Sequence, residues 1–413
     1  MIIQFSVGNF RSFNAIQNLN LRATALVSEN KQVDENNIIE IDNLKILKTV
    51  GIYGPNGSGK SNLIRALETM RRIVTASLDS ESSEAFMDPF ILGDEFRKDG
   101  GYFQLSFLLN GRKYRFGFTL TSAGTIYEEW LFGTADKNET YFFKRAEGDV
   151  QVNQERFPEG LNLPEGKLRK DALFLSFCSG YNGEISKNIR NYFRKAITFD
   201  RNMIRSRQII GLPSSHNRTD QLYEQGKKDL ILLWLKEAGI FYSDMEIVYF
   251  GSPADRSRIL FYKSTLGERG TSEKGPAFDF DVNESDGTKK FYRYIGRLYH
   301  IFENGGVLCS DEIDANFHPS LLQKLISLFN NSEVNKAGAQ LIFTSHDTNL
   351  LNPDILRRDQ FYFTEKSMNE ETLLYSLADL NGIRNNADFA RQYLAGFYGA
   401  LPILGNYLEQ KEQ

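Results

Sequence analysis

At 413 residues, with 41% hydrophobic and 25% charged side chains, the chain has an ordinary globular composition and enough length for two or three units rather than one core. A net charge of −4 excludes a generic polyanion binder, so any nucleic-acid surface must be local. No apolar run approaches the about 18 residues of a membrane span, the start Met1-Ile2-Ile3-Gln4-Phe5 lacks the pattern of a signal peptide, and two cysteines without metal spacing, Cys178 and Cys309, predict a reducing, cytoplasmic setting.

Ile2 to Val7 alternates like a strand, and Leu19 to Ala23 is its expected antiparallel return. Residues 28–43 are polar and acidic and predict a loop. Ile46 to Tyr53 predicts a buried strand that runs into Gly54-Pro55-Asn56-Gly57-Ser58-Gly59-Lys60-Ser61. That stretch fits the phosphate-loop pattern G-x-x-x-x-G-K-[ST] at every fixed position. Asn62 to Met70 predicts the helix leaving it, with Leu63, Ala66, Leu67 and Met70 on one face. Glycines let successive N–H groups turn inward to phosphate oxygens, and the helix start adds partial positive charge. Asn56, Gly57, Ser58, Gly59, Lys60, Ser61 and Asn62 are therefore the candidate nucleotide-binding residues. Lys60 is expected to reach the β- and γ-phosphates, and the Ser61 hydroxyl to sit on Mg2+.

Residues 77–101, rich in Ser, Asp, Glu and Gly, predict a connector. From 102 the period changes to two. The runs Tyr102–Leu109 and Arg112–Leu120 flank Asn110-Gly111, a hairpin signal, and Ile126–Phe132 and Thr140–Lys144 predict two more strands. Residues 170–250 are expected to be mainly helical. Their most basic window, 187–207, holds Lys187, Arg190, Arg194, Lys195, Arg201, Arg205 and Arg207 against one acid, Asp200. On a helix, Ile189, Phe193, Ala196 and Ile197 face inward, and Lys187, Arg190 and Arg194 face out. Two readings stay open there: a solvated face, or a partner or nucleic-acid contact through Arg190 and Arg194. His216 and His300 read as structural or exposed. Residues 264–276 are a Gly-, Glu- and Ser-rich break.

The last third alternates strand and helix: strands at Gly306–Ser310, Ala339–Thr344 and Gln360–Thr364, and a helix at Pro319–Asn330. This pattern predicts a largely parallel α/β sheet, with a nucleotide core split into a part before residue 75 and a part after 280. Asp311-Glu312 ends the first of these strands, where the metal shell is expected in open α/β sheets. Asp311 is the candidate Mg2+ carboxylate, with Ser61, and Glu312 the candidate catalytic base for the attacking water.

Ile313-Asp314-Ala315-Asn316-Phe317-His318-Pro319 resembles the D-loop of ABC-type ATPases, Phe343-Thr344-Ser345-His346 their switch histidine, and Glu284-Ser285-Asp286-Gly287-Thr288 their signature. The opening Asn9-Phe10-Arg11-Ser12-Phe13 is similar to that of the SMC- and RecF-like branch. Glu128-Glu129-Trp130-Leu131 and Tyr393 to Pro402 look like the compact abortive-infection (AAA-fifteen) ATPases of phage-defence operons, among them the ATPase subunits of PARIS and Septu systems.

The resemblance covers nearly the whole chain. It implies an α/β fold: a split ABC-type P-loop NTPase core with an antiparallel β subdomain and a mainly helical insertion. The divisions are residues 1–76, 77–169, 170–280 and 281–413. It implies ATP and Mg2+ as cofactors, hydrolysis assisted by Glu312 and His346, and Asp314 as the D-loop residue. It also implies Ser285 and Gly287 acting in trans on nucleotide held by a second copy, in a sandwich dimer or higher homo-oligomer. Two departures stand out. Asp286 replaces the first glycine after the signature serine, and no Q-loop glutamine is assignable, because Gln104 falls inside a strand pattern. Two functions follow. One is an ATP-gated regulator of a separate effector protein, such as a nuclease, in anti-phage defence. The other is a RecF- or SMC-like DNA-binding ATPase of repair or recombination.

Overall fold

The computed structural model describes residues 1–78, 88–92, 100–135, 138–164, 166–200, 217–249, 257–266 and 272–402. Arg201, Arg205, Arg207 and His216, and most of the expected connector, lie outside the described residues. The chain forms two compact units. The first comprises Met1–Arg201, Gly305–Ile313 and Leu325–Gln413, the second Asn202–Asn304 and Asp314–Lys324.

The first unit opens with β1 (Ile2–Gly8), β2 (Gln17–Asn20), α1 (Lys31–Asn37), β3 (Ile38–Ile41), β4 (Leu44–Leu47) and β5 (Thr49–Tyr53). Helix α2 (Lys60–Ala76) follows, then β6 (Tyr102–Leu109), β7 (Arg112–Leu120), β8 (Ile126–Ala135), β9 (Asn138–Ala146) and β10 (Asp149–Val152). Next come α3 (Phe174–Gly180), α4 (Glu184–Asn191), a π-helical turn at Tyr192–Ala196 and β11 (Ile197–Asp200). The second unit holds α5 (Arg218–Glu224), α6 (Lys228–Glu237), β12 (Asp244–Tyr249), β13 (Ser257–Leu266), β14 (Ser272–Asp279), α7 (Phe280–Asn283) and α8 (Asp286–Asn304). The chain closes with β15 (Val307–Ser310), α9 (Pro319–Asn330), β16 (Gln340–Thr344), β17 (Phe361–Lys366), β18 (Thr372–Ser376) and α10 (Phe389–Leu394).

Among the described residues, six strands form the nucleotide-type sheet in the order β11-β15-β16-β5-β17-β18. Its neighbours run parallel except for the β17–β18 pair. β5 is buried along its whole length, as befits a central parallel strand covered on both faces. A second sheet, antiparallel, has the order β10-β9-β8-β7-β6-β1-β2. The expected return strand thus pairs with β1, but β1 also pairs with β6. The strands after residue 102 therefore share one sheet with the N-terminus. The apolar face of α2 (Leu63, Ala66, Leu67, Met70) joins one core with Phe5, Phe103 and Leu105 of this sheet and Val50, Cys309 and Ile342 of the parallel one. Each such fully buried aliphatic side chain stabilises by about 1.5–3 kcal/mol.

Two expectations about local structure are corrected. Residues 28–43 contain α1 and β3 rather than a loop. The Asn30 side chain caps α1 by accepting from the Gln32 N–H, Val33 is buried, and Asp34 pairs with Arg357. The insertion is not mainly helical throughout, because β12, β13 and β14 form a three-stranded antiparallel sheet. The break expected at 264–276 falls on the β13–β14 pair, which is held in place by the buried Phe261, Phe280 and Tyr292.

The first unit buries a charged pair beneath its antiparallel sheet. Glu129 of β8 is fully buried and accepts from the Phe174 N–H (2.6 Å) and the Leu175 N–H (2.9 Å) at the start of α3. Arg145 lies 3.7 Å away. Burial pushes the Glu129 carboxyl from its ordinary 4.5 up to about 7, against the pull of Arg145 and the two amides. The unfolded chain ionises this group near 4.5 while the folded chain keeps the proton until about 7. Its stabilising contribution is therefore complete below 4.5 and lost as pH rises through 7. Urea midpoints measured across this range are expected to fall with pH in the parent chain and to lose that component in Glu129→Gln.

Candidate active site

Parallel strands β5, β15 and β16 deliver their C-terminal ends to one edge of the sheet, where open α/β sheets carry their chemistry. β5 leads into the phosphate loop and β15 into Asp311-Glu312. β16 leads into Ser345-His346 and lies between the other two.

The loop is shaped by contacts distant in sequence. Gly59 caps α2 with φ +112°, and a Cβ there would stand 2.2 Å from the Thr372 Oγ1, so only glycine fits. The Thr372 hydroxyl donates to the Ser58 carbonyl (2.8 Å), and the Ser58 hydroxyl bonds that of Thr364 (2.6 Å). The Asn62 side chain donates to the Ser12 hydroxyl (2.8 Å), which is also hydrogen-bonded to the Thr372 hydroxyl (2.8 Å). β17, β18 and the N-terminal segment thus brace the loop from outside. Lys60 is buried, and its ammonium donates to the carbonyls of Gly54 (2.6 Å) and Pro55 (3.0 Å), which folds it over the loop. The first turn of α2 directs backbone N–H groups that lack intrahelical partners toward the loop's mouth. Asn56 and Gly57 are exposed at the tip.

The carboxylate of Asp311 faces this helix start. Its Oδ1 accepts from the Ser61 hydroxyl (2.9 Å) and from the Thr344 hydroxyl (2.7 Å). Ser61 and Asp311 therefore present two hard oxygen donors side by side, the donor chemistry Mg2+ takes. Thr344 does a second job, since its Oγ1 also accepts from the Glu312 N–H (2.7 Å), and its carbonyl accepts from the Ile313 N–H (3.0 Å). Glu312 itself is exposed with φ +51°, a left-handed conformation costing roughly 1–3 kcal/mol for a residue with a side chain. The hydrogen bonds to Thr344 and the burial of Ile313 hold that turn. His346, two residues beyond Thr344, is exposed at the end of β16.

Thr344, Ser12 and Thr372 are the members of this constellation that sequence reasoning missed as functional. The segments Asn9 to Phe13 and Phe343 to His346 carried the only signal for the first two. Thr344→Val keeps the shape of the side chain while removing one donor to Asp311 and one acceptor for the Glu312 N–H. Turnover is expected to drop at least about tenfold, with stability falling by roughly 1–3 kcal/mol for the orphaned groups. Thr344→Ser should recover most of both, as read by steady-state ATPase rates and urea unfolding.

The signature and D-loop residues lie in the second unit. Ser285 caps α8, its Oγ accepting from the Thr288 N–H (3.2 Å), and is exposed with Asp286 at the helix start. Gly287 is in that first turn. Asp314 and Asn316 lie in the loop after Ile313, where Asn316 has φ +66°.

Gln104 lies in β6, as its strand pattern implies, whereas Arg190 departs from its expected outward position. Gln104 is engaged within the antiparallel sheet, accepting from Arg115 (3.2 Å) and from the Trp130 ring N–H (3.1 Å). Arg190 is not a free outward charge. Its guanidinium donates to the Thr75 carbonyl (2.6 Å) in the last turn of α2, because the helix C-terminus offers an unpaired carbonyl within its reach. Arg194 is exposed and donates to the Asn191 side chain (2.9 Å). Both cysteines are buried, and burial pushes their thiols well above the ordinary range, so they serve packing.

Fold and site together define a P-loop ATPase whose nucleotide core is split along the chain. The family described as AAA domain, putative AbiEii toxin, Type IV TA system matches residues 50–352, well over half the chain, and the chain belongs to it. No curated protein matches the chain. Three solved structures are distantly similar. The SMC head domain from Thermotoga maritima has 13% identity over 91% of this chain and 98% of that one, with a TM-score of 0.41. The SmcHead bound to the C-winged helix domain of ScpA has 12% identity over 91% and 97%, TM-score 0.42. The Smc head domain with a coiled coil and joint from Pyrococcus yayanosii has 9% identity over 96% and 99%, TM-score 0.43. Among the described residues no helix is long and apolar enough to cross a membrane.

Proposed function

We propose that the chain is a Mg2+-dependent ATPase in which two copies close on shared ATP, and that this closure regulates a separate effector protein in anti-phage defence. The observation that carries the enzymatic part is the joining of Ser61, Asp311 and Thr344 beside the phosphate loop, with Glu312 held one residue further on. Lys60 and the loop amides bind the phosphates, and Ser61 and Asp311 hold the metal, which neutralises phosphate charge when bound. Glu312 takes the proton of the attacking water, and His346 contacts the γ-phosphate region from the neighbouring strand. Ser285, Gly287 and Asp314 complete the site of the second copy.

The defence role is supported by the family description, which names a putative toxin of a toxin–antitoxin system. The same words define the competing outcome, in which the chain is itself the toxin. The test is growth and phage challenge of cells expressing the chain alone, its genomic neighbour alone, or both. Protection requiring both, and lost in Glu312→Gln, is expected. Toxicity from the chain alone would contradict the separate effector, and ATP-dependent binding of duplex DNA by the purified chain alone would favour the DNA-repair reading.

A further inference from the structure

One face of α8 grips the D-loop. A Cβ on Gly287 would stand 2.5 Å from the Asn316 carbonyl oxygen, so the helix start and the D-loop backbone are in direct contact. One turn along, the Lys290 ammonium donates to the Ala315 carbonyl (2.7 Å) and lies 4.6 Å from the centre of the Phe317 ring. Phe317 packs edge-on against Phe291 (6.3 Å) and Tyr294 (5.5 Å). Positions 287, 290, 291 and 294 are one helical stripe, and they hold three consecutive D-loop residues, Ala315, Asn316 and Phe317. The left-handed turn at Asn316 shapes the backbone that meets this stripe. Consistently, the residues after Ile313 belong to the compact unit of α8 and not to that of β15.

We infer that Lys290 is a positioning residue that locks the D-loop to the signature helix, so that Ser285, Gly287 and Asp314 reach the nucleotide of a second copy as one preformed surface. This rests on the shared-site reading above. Lys290 touches no phosphate in this account. It acts through the Ala315 carbonyl and the Phe317 ring, combining a charge-assisted hydrogen bond with a cation–π contact.

The test places Lys290→Met in one chosen subunit of a heterodimer purified through two different tags. One subunit carries Lys60→Ala, which leaves a single live site built from the partner's phosphate loop and the Lys60→Ala subunit's signature. Lys290→Met in the Lys60→Ala subunit should lower kcat at least about tenfold, the scale expected when a catalytic surface is displaced by a fraction of an ångström to one ångström. Placed in the other subunit, the same change should cost far less, and Lys290→Arg should recover turnover in the sensitive position. Equal losses in both placements would mean a merely structural role and overturn the inference. Ser285→Arg is run as the control in both placements. If Ser285→Arg shows the asymmetry and Lys290→Met does not, the positioning role fails while the shared site stands. If neither shows it, the shared site fails, and the inference with it.

Discussion

Glu312→Gln is expected to bind ATP as the parent chain does and to turn it over at least about 10²-fold more slowly, the usual contribution of a positioned general base. The neutral amide keeps the size of the side chain, and the Glu312 N–H bond to Thr344 that holds the backbone turn is untouched by it. Folding and nucleotide affinity are therefore expected to persist while proton transfer from water is lost. Lys60→Ala should fail earlier, at binding, because it removes the ammonium folded over the loop. Equilibrium binding of a fluorescent ATP analogue, alongside phosphate release under single turnover, separates the two. Parent-like turnover in Glu312→Gln would remove Glu312 from the mechanism.

The second large effect is expected from mixing two inactive chains. Ser285→Arg places a bulky cation at the exposed cap of α8 and should leave the phosphate loop of its own subunit able to bind ATP. It should abolish hydrolysis by blocking closure over the partner's nucleotide. Lys60→Ala has the complementary defect. A heterodimer of the two holds both lesions in one composite site and neither in the other. Activity should return to about half of the parent value, the share of one intact site in two, if the sites act independently. Demonstrated heterodimers without activity would exclude sharing.

The parts of this account that are legible in sequence are those in which neighbouring residues do the chemistry. Gly54 to Ser61 reads directly because one tight turn and one helix start supply the loop, and Asp311-Glu312 reads because a buried strand ends there. What binds these pieces together is not local. Thr344 reaches Asp311 across 33 positions, and Thr372 reaches Ser12 across 360. No pattern of period two or 3.6 marks such a hydroxyl. The short helix α1 escaped because six of its seven residues are polar and Val33 alone makes no apolar stripe, and a cap and the Arg357–Asp34 pair hold it. Helical periodicity rightly turned Ile189 and Phe193 inward, but it also set Arg190 outward, where the carbonyl of Thr75 claims it. The charge of the remaining basic window at Arg194 and Lys195 is exposed, and it stays the candidate partner or nucleic-acid contact.

The central claim, that ATP closes two copies on each other, is tested most directly by the molar mass of Glu312→Gln in solution, measured by light scattering with and without ATP and Mg2+. The account predicts that mass doubles, or rises to a higher even multiple, only when nucleotide and metal are both present, and that Ser285→Arg in the same background prevents the rise. A mass indifferent to ATP in a chain shown to bind it would contradict the account.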